Sequence, residues 1–349
     1  MLLAVICNHN YPDMQEFFRA EARLKGSELG EKLMFLTCNS AAKGEFISKI
    51  PSCFSRKPFF DFLLLADLIY GPILAVFLRL RGVKVTHFTT THFSNLPFSL
   101  VFRLLGGRLI FTVHRFDLDS YDPVRRHLLS LYEKLVFLIS DRVVILSDNK
   151  RVPADKKVVI PMAGYKQQVT EPKVIAQYYM FFGRIDDYKG LDDIFRLAQE
   201  LPHLKFVVAG NGYSPVIADL QLLDNVTVFN RFIDDAELAG LFEGARLVLL
   251  PYKSISQSAV QILSYSYGTP VICYDVGNLK KFILDGVTGY LVGAGDFDRF
   301  RQAVNAFDLK VMPVLSKNCI AYFNANFSDK VLYDQYRDFY SKMLVRFAQ

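Results

Sequence analysis

Short runs of β-branched and aromatic residues alternate with longer stretches of helical periodicity along almost the whole chain. In the first half, Leu2–Cys7, residues 32–37, Val83–Phe88, Arg108–Val113 and residues 141–145 read as strands. Amphipathic stretches such as residues 15–24 and Pro123–Ile139 lie between them and read as helices. Strand, helix and strand repeated in this order predict an α/β fold, a parallel sheet with helices on both faces.

Residues 152–172 interrupt the pattern with three prolines, a Lys-rich patch and Ala163-Gly164, and no helical period. A hinge is expected there. The alternation then resumes, with strands at Tyr178–Phe182, residues 205–209, Val226–Asn230, Ala245–Leu250 and residues 270–274. Helices fit residues 190–201, Asp235–Gly244 and residues 259–267. The expected organisation is two doubly wound domains, 1–165 and 170–328, facing each other across a cleft. An amphipathic tail, 329–349, forms a last helix packing back toward the first domain. In such sheets ligands bind beyond the carboxyl ends of the strands.

Composition adds three points. Hydrophobic residues make up 51% of the 349, enough to bury two cores. The five cysteines are scattered without a C-x-x-C pair, which points to reduced thiols and a cytoplasmic protein. Met1 to Cys7 has no basic leader, so no secretory signal is expected. Residues 59–80 are apolar but hold Asp61, Asp67, Pro72 and Arg79. A membrane span needs about 20 nearly uncharged residues, so a buried helix pair or a helix lying on a bilayer surface is expected instead. Residues 1–170 hold 23 Lys+Arg against 15 Asp+Glu, and residues 171–349 hold 18 against 20. This asymmetry suits either a solvated basic face or peripheral contact with an anionic membrane surface. No nucleic-acid signature accompanies it.

Several motifs carry chemistry. In Phe182-Gly183-Arg184-Ile185-Asp186-Asp187-Tyr188-Lys189-Gly190 a strand ends, a glycine turns the chain, and a helix follows. Arg184 offers a fork of donors to phosphate oxygens and Lys189 a mobile point charge. Val207-Val208-Ala209-Gly210-Asn211-Gly212 is a second strand closing in a glycine-rich turn. Asn230-Arg231-Phe232, Val248-Leu249-Leu250-Pro251-Tyr252, Ser256-Gln257-Ser258-Ala259-Val260 and Gly268-Thr269-Pro270 follow in order.

In that order and spacing, residues 175–295 resemble the C-terminal domain of the retaining GT-B glycosyltransferases of the GT4-like group. The resemblance implies two Rossmann-like domains, an N-terminal one for the acceptor and a C-terminal one for a nucleotide-sugar. The activity it implies is transfer of a sugar from a UDP or GDP donor to a glycan or lipid-linked glycan, with retention and without a metal, in cell-surface polysaccharide synthesis. The nucleotide-sugar is then a substrate, and no cofactor is expected. Arg184 and Lys189 match the residues that bind the donor's diphosphate, with Gly183 and Asn211 beside them. Arg231 and Phe232 match the turn at the nucleobase. Ser256, Gln257, Ser258, Ala259 and Val260 match the loop and helix start facing donor sugar and phosphates, and a helix N-terminus suits phosphate on physical grounds. In the first half, His114 ends a strand where similar enzymes have a histidine, and His9 and Asn10 are candidate acceptor contacts.

The sequence departs from the group in one respect. Leu263 and Ile255 occupy the positions of its two glutamates, eight residues apart. Gln257 and Ser258 are the nearby groups able to hydrogen bond in their place. Taken at face value, the change leaves an alternative, a non-catalytic GT-B-like subunit of a glycan-synthesis complex. A nucleotide-sugar epimerase on a similar scaffold would need an acidic pair in the C-terminal half that is not evident. Asp117-Leu118-Asp119 and Asp296-Phe297-Asp298 invite a metal, but they are expected to hold none.

Overall fold

The computed structural model describes residues 2–7, 24, 29–37, 47–49, 62–114, 123–161, 171, 177–255 and 258–347. The chain divides into two compact units, Met1–Ala163 with Leu332–Gln349, and Gly164–Val331.

The first unit is built on a parallel sheet of seven strands: β1 Leu2–Cys7, β2 Leu33–Thr37, β3 Ile47–Lys49, β4 Val83–Phe88, β5 Arg108–Val113, β6 Arg142–Ile145 and β7 Lys157–Val159. Their order is β3-β2-β1-β4-β5-β6-β7. Successive side chains of a strand point to opposite faces, and β1 shows the result. Leu3 and Val5 join Val85, Ile110 and Val144 on one face. Ala4 and Ile6 join Phe88, Leu109 and Phe111 on the other. Helices α1 Phe62–Leu80, α2 Asn95–Leu104 and α3 Pro123–Ile139 cover the second face through Ala75, Leu78, Phe98, Phe102, Tyr132 and Val136.

The second unit has six parallel strands: β8 Tyr178–Phe182, β9 Phe206–Gly210, β10 Val226–Asn230, β11 Ala245–Leu250, β12 Val271–Tyr274 and β13 Gly289–Val292. The order is β10-β9-β8-β11-β12-β13. Every residue of β9 is buried, as in a strand covered on both faces. Its helices are α4 Leu191–Glu200, α5 Ile217–Gln221, α6 Asp235–Gly244, α7 Ala259–Ser266, α8 Phe297–Asn305 and α9 Met312–Asn326. Helix α4 buries Leu191, Ile194, Leu197 and Ala198, one stripe at helical spacing. The last helix, α10 Asp329–Arg346, lays Leu332, Tyr336, Phe339, Tyr340 and Met343 on the first unit's sheet, against Leu3 and Val5.

Three expectations need correction. Residues 62–80 form one helix with Pro72 inside it, not a buried pair, and Ile69, Ile73 and Leu80 are exposed. No helix among the described residues is long and apolar enough to cross a membrane. The break at 152–172 contains a strand, β7, whose three residues extend the sheet beside β6. Asp141 stands outside β6, because its carboxylate is taken by Arg103, Arg108 and the Leu109 amide. The helix expected at 15–24 lies outside the described residues except Leu24, which is helical and buried. Cys273 and Cys319 are buried free thiols.

Candidate active site

The chain runs β8, β9, β10 outward to one side and then returns to place β11 on the other side of β8. The connections leaving β8 and β11 therefore diverge at the carboxyl end of the sheet, where open α/β sheets bind ligands. The chemistry of the second unit gathers there.

Gly183 follows β8 with φ +118, a backbone region that suits glycine. A Cβ on it would stand 3.0 Å from both Lys189 Nζ and Val260 Cγ2. The end of β8, the Lys189 ammonium and the first turn of α7 thus meet around one glycine. Lys189 ends the short turn Asp187–Lys189, and Gly190 closes that turn at φ +71. A Cβ on Gly190 would run into the Pro251 carbonyl oxygen, so the turn seats directly on the chain leaving β11. The Lys253 amide donates to the Tyr188 carbonyl at 2.8 Å and holds the same junction.

Lys189 is 7% exposed. Its ammonium lies 5.2 Å over the Tyr252 ring. Burial, and then the Arg184 charge, push its pKa down to about 8 against the pull of Asp186. Asp186 is itself bound to Arg184 at 2.9 Å, and Lys189 has no ion pair among the described residues. A buried ammonium without a carboxylate is costly unless an anion compensates it. Arg184 differs in setting, with its side chain 56% exposed at the turn. Helix α7 opens at Ser258, which is buried in an extended conformation and makes no side-chain cap bond. Its first N–H groups add a positive pole to the same corner.

The β9 turn is tied in through the Ile185 amide, which donates to the Asn211 carbonyl at 3.0 Å. The Gly212 amide donates to Asn230 Oδ1 at 3.3 Å, linking it to β10. Asn211 itself is exposed. After β10, Arg231 NH1 donates to Glu237 Oε2 at 2.7 Å and to the Phe232 carbonyl at 3.2 Å. Asp234 caps α6 by accepting from the Ala236 and Glu237 amides. The Phe232 ring is left 71% exposed beside this pair.

Gly183, Lys189 and Val260 are brought into contact, while Arg231 and Phe232 form a separate corner on the next strand but one. Ser256 and Gln257 lie outside the described residues. Leu263 is buried, which keeps it off the surface of α7. Tyr252 has no role in the motif reading, although Pro251-Tyr252 closing a buried strand was a visible signal. Asp296 is a cap, accepting from the Arg299 amide, and Asp298 pairs with Arg301. Asp117 and Asp119 lie outside the described residues, and no metal-holding group forms among the described ones.

In the first unit, His114 is half-buried after β5, with Nε2 2.6 Å from the Thr89 carbonyl. A carbonyl only accepts, so Nε2 carries the proton and Nδ1 is the acceptor of the neutral ring. Burial lowers its pKa, which keeps it neutral. Thr89 follows β4, next to the point where the first sheet reverses its order between β1 and β4. His9 and Asn10 lie outside the described residues. His87 is fully buried between Tyr340 Oη, 2.7 Å from Nδ1, and Thr112 Oγ1, 2.8 Å from Nε2.

The model of the family described as Glycosyl transferases group 1 matches residues 176–307. The D-inositol 3-phosphate glycosyltransferase of Mycobacterium marinum is 32% identical over 144 residues, 39% of this chain and 30% of that relative. The match thus spans under a third of the relative's length. Among solved structures, the sucrose-phosphate synthase of Thermosynechococcus elongatus superposes with a TM-score of 0.74 at 16% identity, over 99% of this chain and 100% of that one. HepE of Anabaena, in complex with UDP, superposes with a TM-score of 0.70 at 13% identity, over 98% and 100%. At such identities the likeness is one of fold, and it runs the length of the chain. Residues 176–307 thus match the group 1 glycosyl transferases, and the chain as a whole shares the two-domain GT-B fold.

Proposed function

We propose that this protein is a glycosyltransferase that takes a sugar from a nucleoside-diphosphate sugar held by its second unit. The carrying observation is Lys189, a buried ammonium without a carboxylate partner among the described residues, at the switch point of the sheet and beside the uncapped start of α7. A diphosphate supplies the missing anion. Arg184 reaches it from the exposed side of the same turn, and Arg231 with Phe232 offers a surface for the base. HepE of Anabaena has been solved with UDP and with UDP-glucose, which supports UDP ahead of GDP.

In the reaction the bond from the anomeric carbon to the diphosphate oxygen breaks and its electron pair leaves with the diphosphate. Lys189, Arg184 and the α7 N–H groups stabilise that growing charge. The acceptor hydroxyl attacks from the face the leaving group departs, with retention, and its proton passes to the diphosphate. His114 Nδ1 is suited to accept a hydrogen bond from a hydroxyl. Charge stabilisation by these groups needs no metal ion. The acceptor is a glycan or lipid-linked glycan in cell-surface polysaccharide synthesis, reached from the cytoplasmic side.

A non-catalytic subunit is the second reading, and Leu263 with Ile255 favours it, because neither can bind a sugar hydroxyl. A thermal-shift series with UDP, GDP, ADP and CMP, without metal, tests the donor site. A rise with UDP or GDP supports the transferase. Equal melting in all four gives the subunit reading the advantage.

A further inference from the structure

None of the residues assigned above to sugar transfer lies on helices α1, α2 or α3 of the first unit. Helices α1, α2 and α3 lie together on one face of the sheet. Their sides turned away from the sheet are also apolar. On α1, Ile69, Ile73, Val76 and Leu80 follow one another at helical spacing and are 67%, 59%, 41% and 83% exposed. On α3, Val124, Leu128, Leu131 and Leu138 repeat the device and are exposed. On α2, Leu100 and Leu104 add to it. A surface helix ordinarily carries polar residues on that side. An exposed apolar area of this extent marks a docking surface.

Charge identifies the occupant. Arg81 follows α1, and Arg126 and Lys134 lie on α3, all three exposed, whereas Arg79 donates to the Leu105 and Val83 carbonyls and Arg103 is paired with Asp141. Asp67 and Glu133 are the only acids in the three helical sequences. Glu133 has only 15% of its side chain exposed, 3.9 Å from Arg151. A second copy would set one basic rim against another. Phosphate headgroups over an acyl layer match both features, with the aliphatic stripes entering the acyl boundary and the long basic side chains reaching up to the phosphates.

We propose that the outer face of α1, α2 and α3 seats this protein on an anionic lipid bilayer, the three helices lying flat in the interface. The inference rests on surface residues remote in sequence from the donor motifs, so it stands or falls separately from the transferase reading.

The test is sedimentation of the full chain with phosphatidylcholine vesicles and with vesicles of phosphatidylcholine and phosphatidylglycerol in equal parts. Binding to the mixed vesicles and not to the neutral ones is expected. The triple variant Ile73→Ser, Val76→Ser, Leu131→Ser should lower that binding about a hundredfold, from the apolar surface lost. The double variant Arg81→Glu, Lys134→Glu should lower it about tenfold. Both should melt as the unaltered protein does, and where one does not, the other decides. A protein that stays in the supernatant with mixed vesicles overturns the proposal, as do variants that bind like the parent. A dimer that the triple variant dissociates, without vesicle binding, overturns it in favour of a second copy.

Discussion

The Lys189 ammonium stands 5.2 Å over the Tyr252 ring, held there by two chain segments that leave adjacent strands in opposite directions. The ring face attracts a cation but cannot neutralise it. The site therefore stores an uncompensated charge whose protonation is sensitive to pH.

With a pKa near 8, Lys189 is charged in the ligand-free protein below that pH and neutral above it. A bound diphosphate favours the ammonium, so binding above pH 8 must take up a proton. UDP affinity should be level below pH 8 and then fall by up to about tenfold per pH unit. Lys189→Met should bind weakly and without this dependence. Calorimetry across pH 7 to 9.5 checks both, and a parent whose affinity ignores pH would refute the assignment.

Arg184 is largely exposed and, among the described residues, bonded to Asp186 alone, so Arg184→Ala should leave the melting temperature almost unchanged. Turnover should fall about a hundredfold or more if it meets the departing diphosphate. The two readings together separate a role in chemistry from one in folding. Near-normal turnover would remove Arg184 from the mechanism.

Gly190→Ala should destabilise the protein by about 1–3 kcal/mol, through left-handed backbone and a collision with the Pro251 carbonyl. Urea unfolding measures it. An unchanged midpoint would mean that the turn yields easily.

His87 is held neutral by burial, its pKa lowered to about 3 from 6.5. Its folded value lies below its unfolded one, so its contribution is fully present above pH 6.5 and is lost as pH falls toward 3. Stability should drop by about 1.4 kcal/mol per pH unit in that window on this account. His87→Gln should show a flatter profile in urea unfolding between pH 6.5 and 4.5. Parallel profiles would show that His87 does not set the slope.

Phe232 is 71% exposed beside Arg231. If it faces the base, Phe232→Ala should weaken UDP binding by about 1–3 kcal/mol without altering stability. Equal affinity would move the base elsewhere.

How much of this was legible in the sequence follows from burial. Strands such as β8, β9 and β11 are continuous apolar runs, and their ends coincide with Gly183, Gly210 and Pro251, so the second unit's frame could be read directly. Strands β3, β7 and β13, three or four residues each, carry too few side chains to impose a period. Helix α1 misled because its apolar residues occupy both sides, and periodicity cannot tell an outward stripe from an inward one. At the site, Arg184 and Lys189 were named together, but sequence gave no means of telling that one is exposed and the other enclosed. The partnership of His87 with Tyr340 spans 253 positions and left no local trace.

The return of α10 to the first sheet has a consequence for how the protein is made. Leu3, Val5, Val85 and Ile110 are synthesised early, but the residues that pack on them, Leu332 to Leu344, come only after the second unit. During translation one face of the first sheet waits uncovered while the whole second unit is produced and can fold. The second unit is continuous in sequence and needs no later segment, whereas the first is completed only once residues 332–344 have emerged from the ribosome.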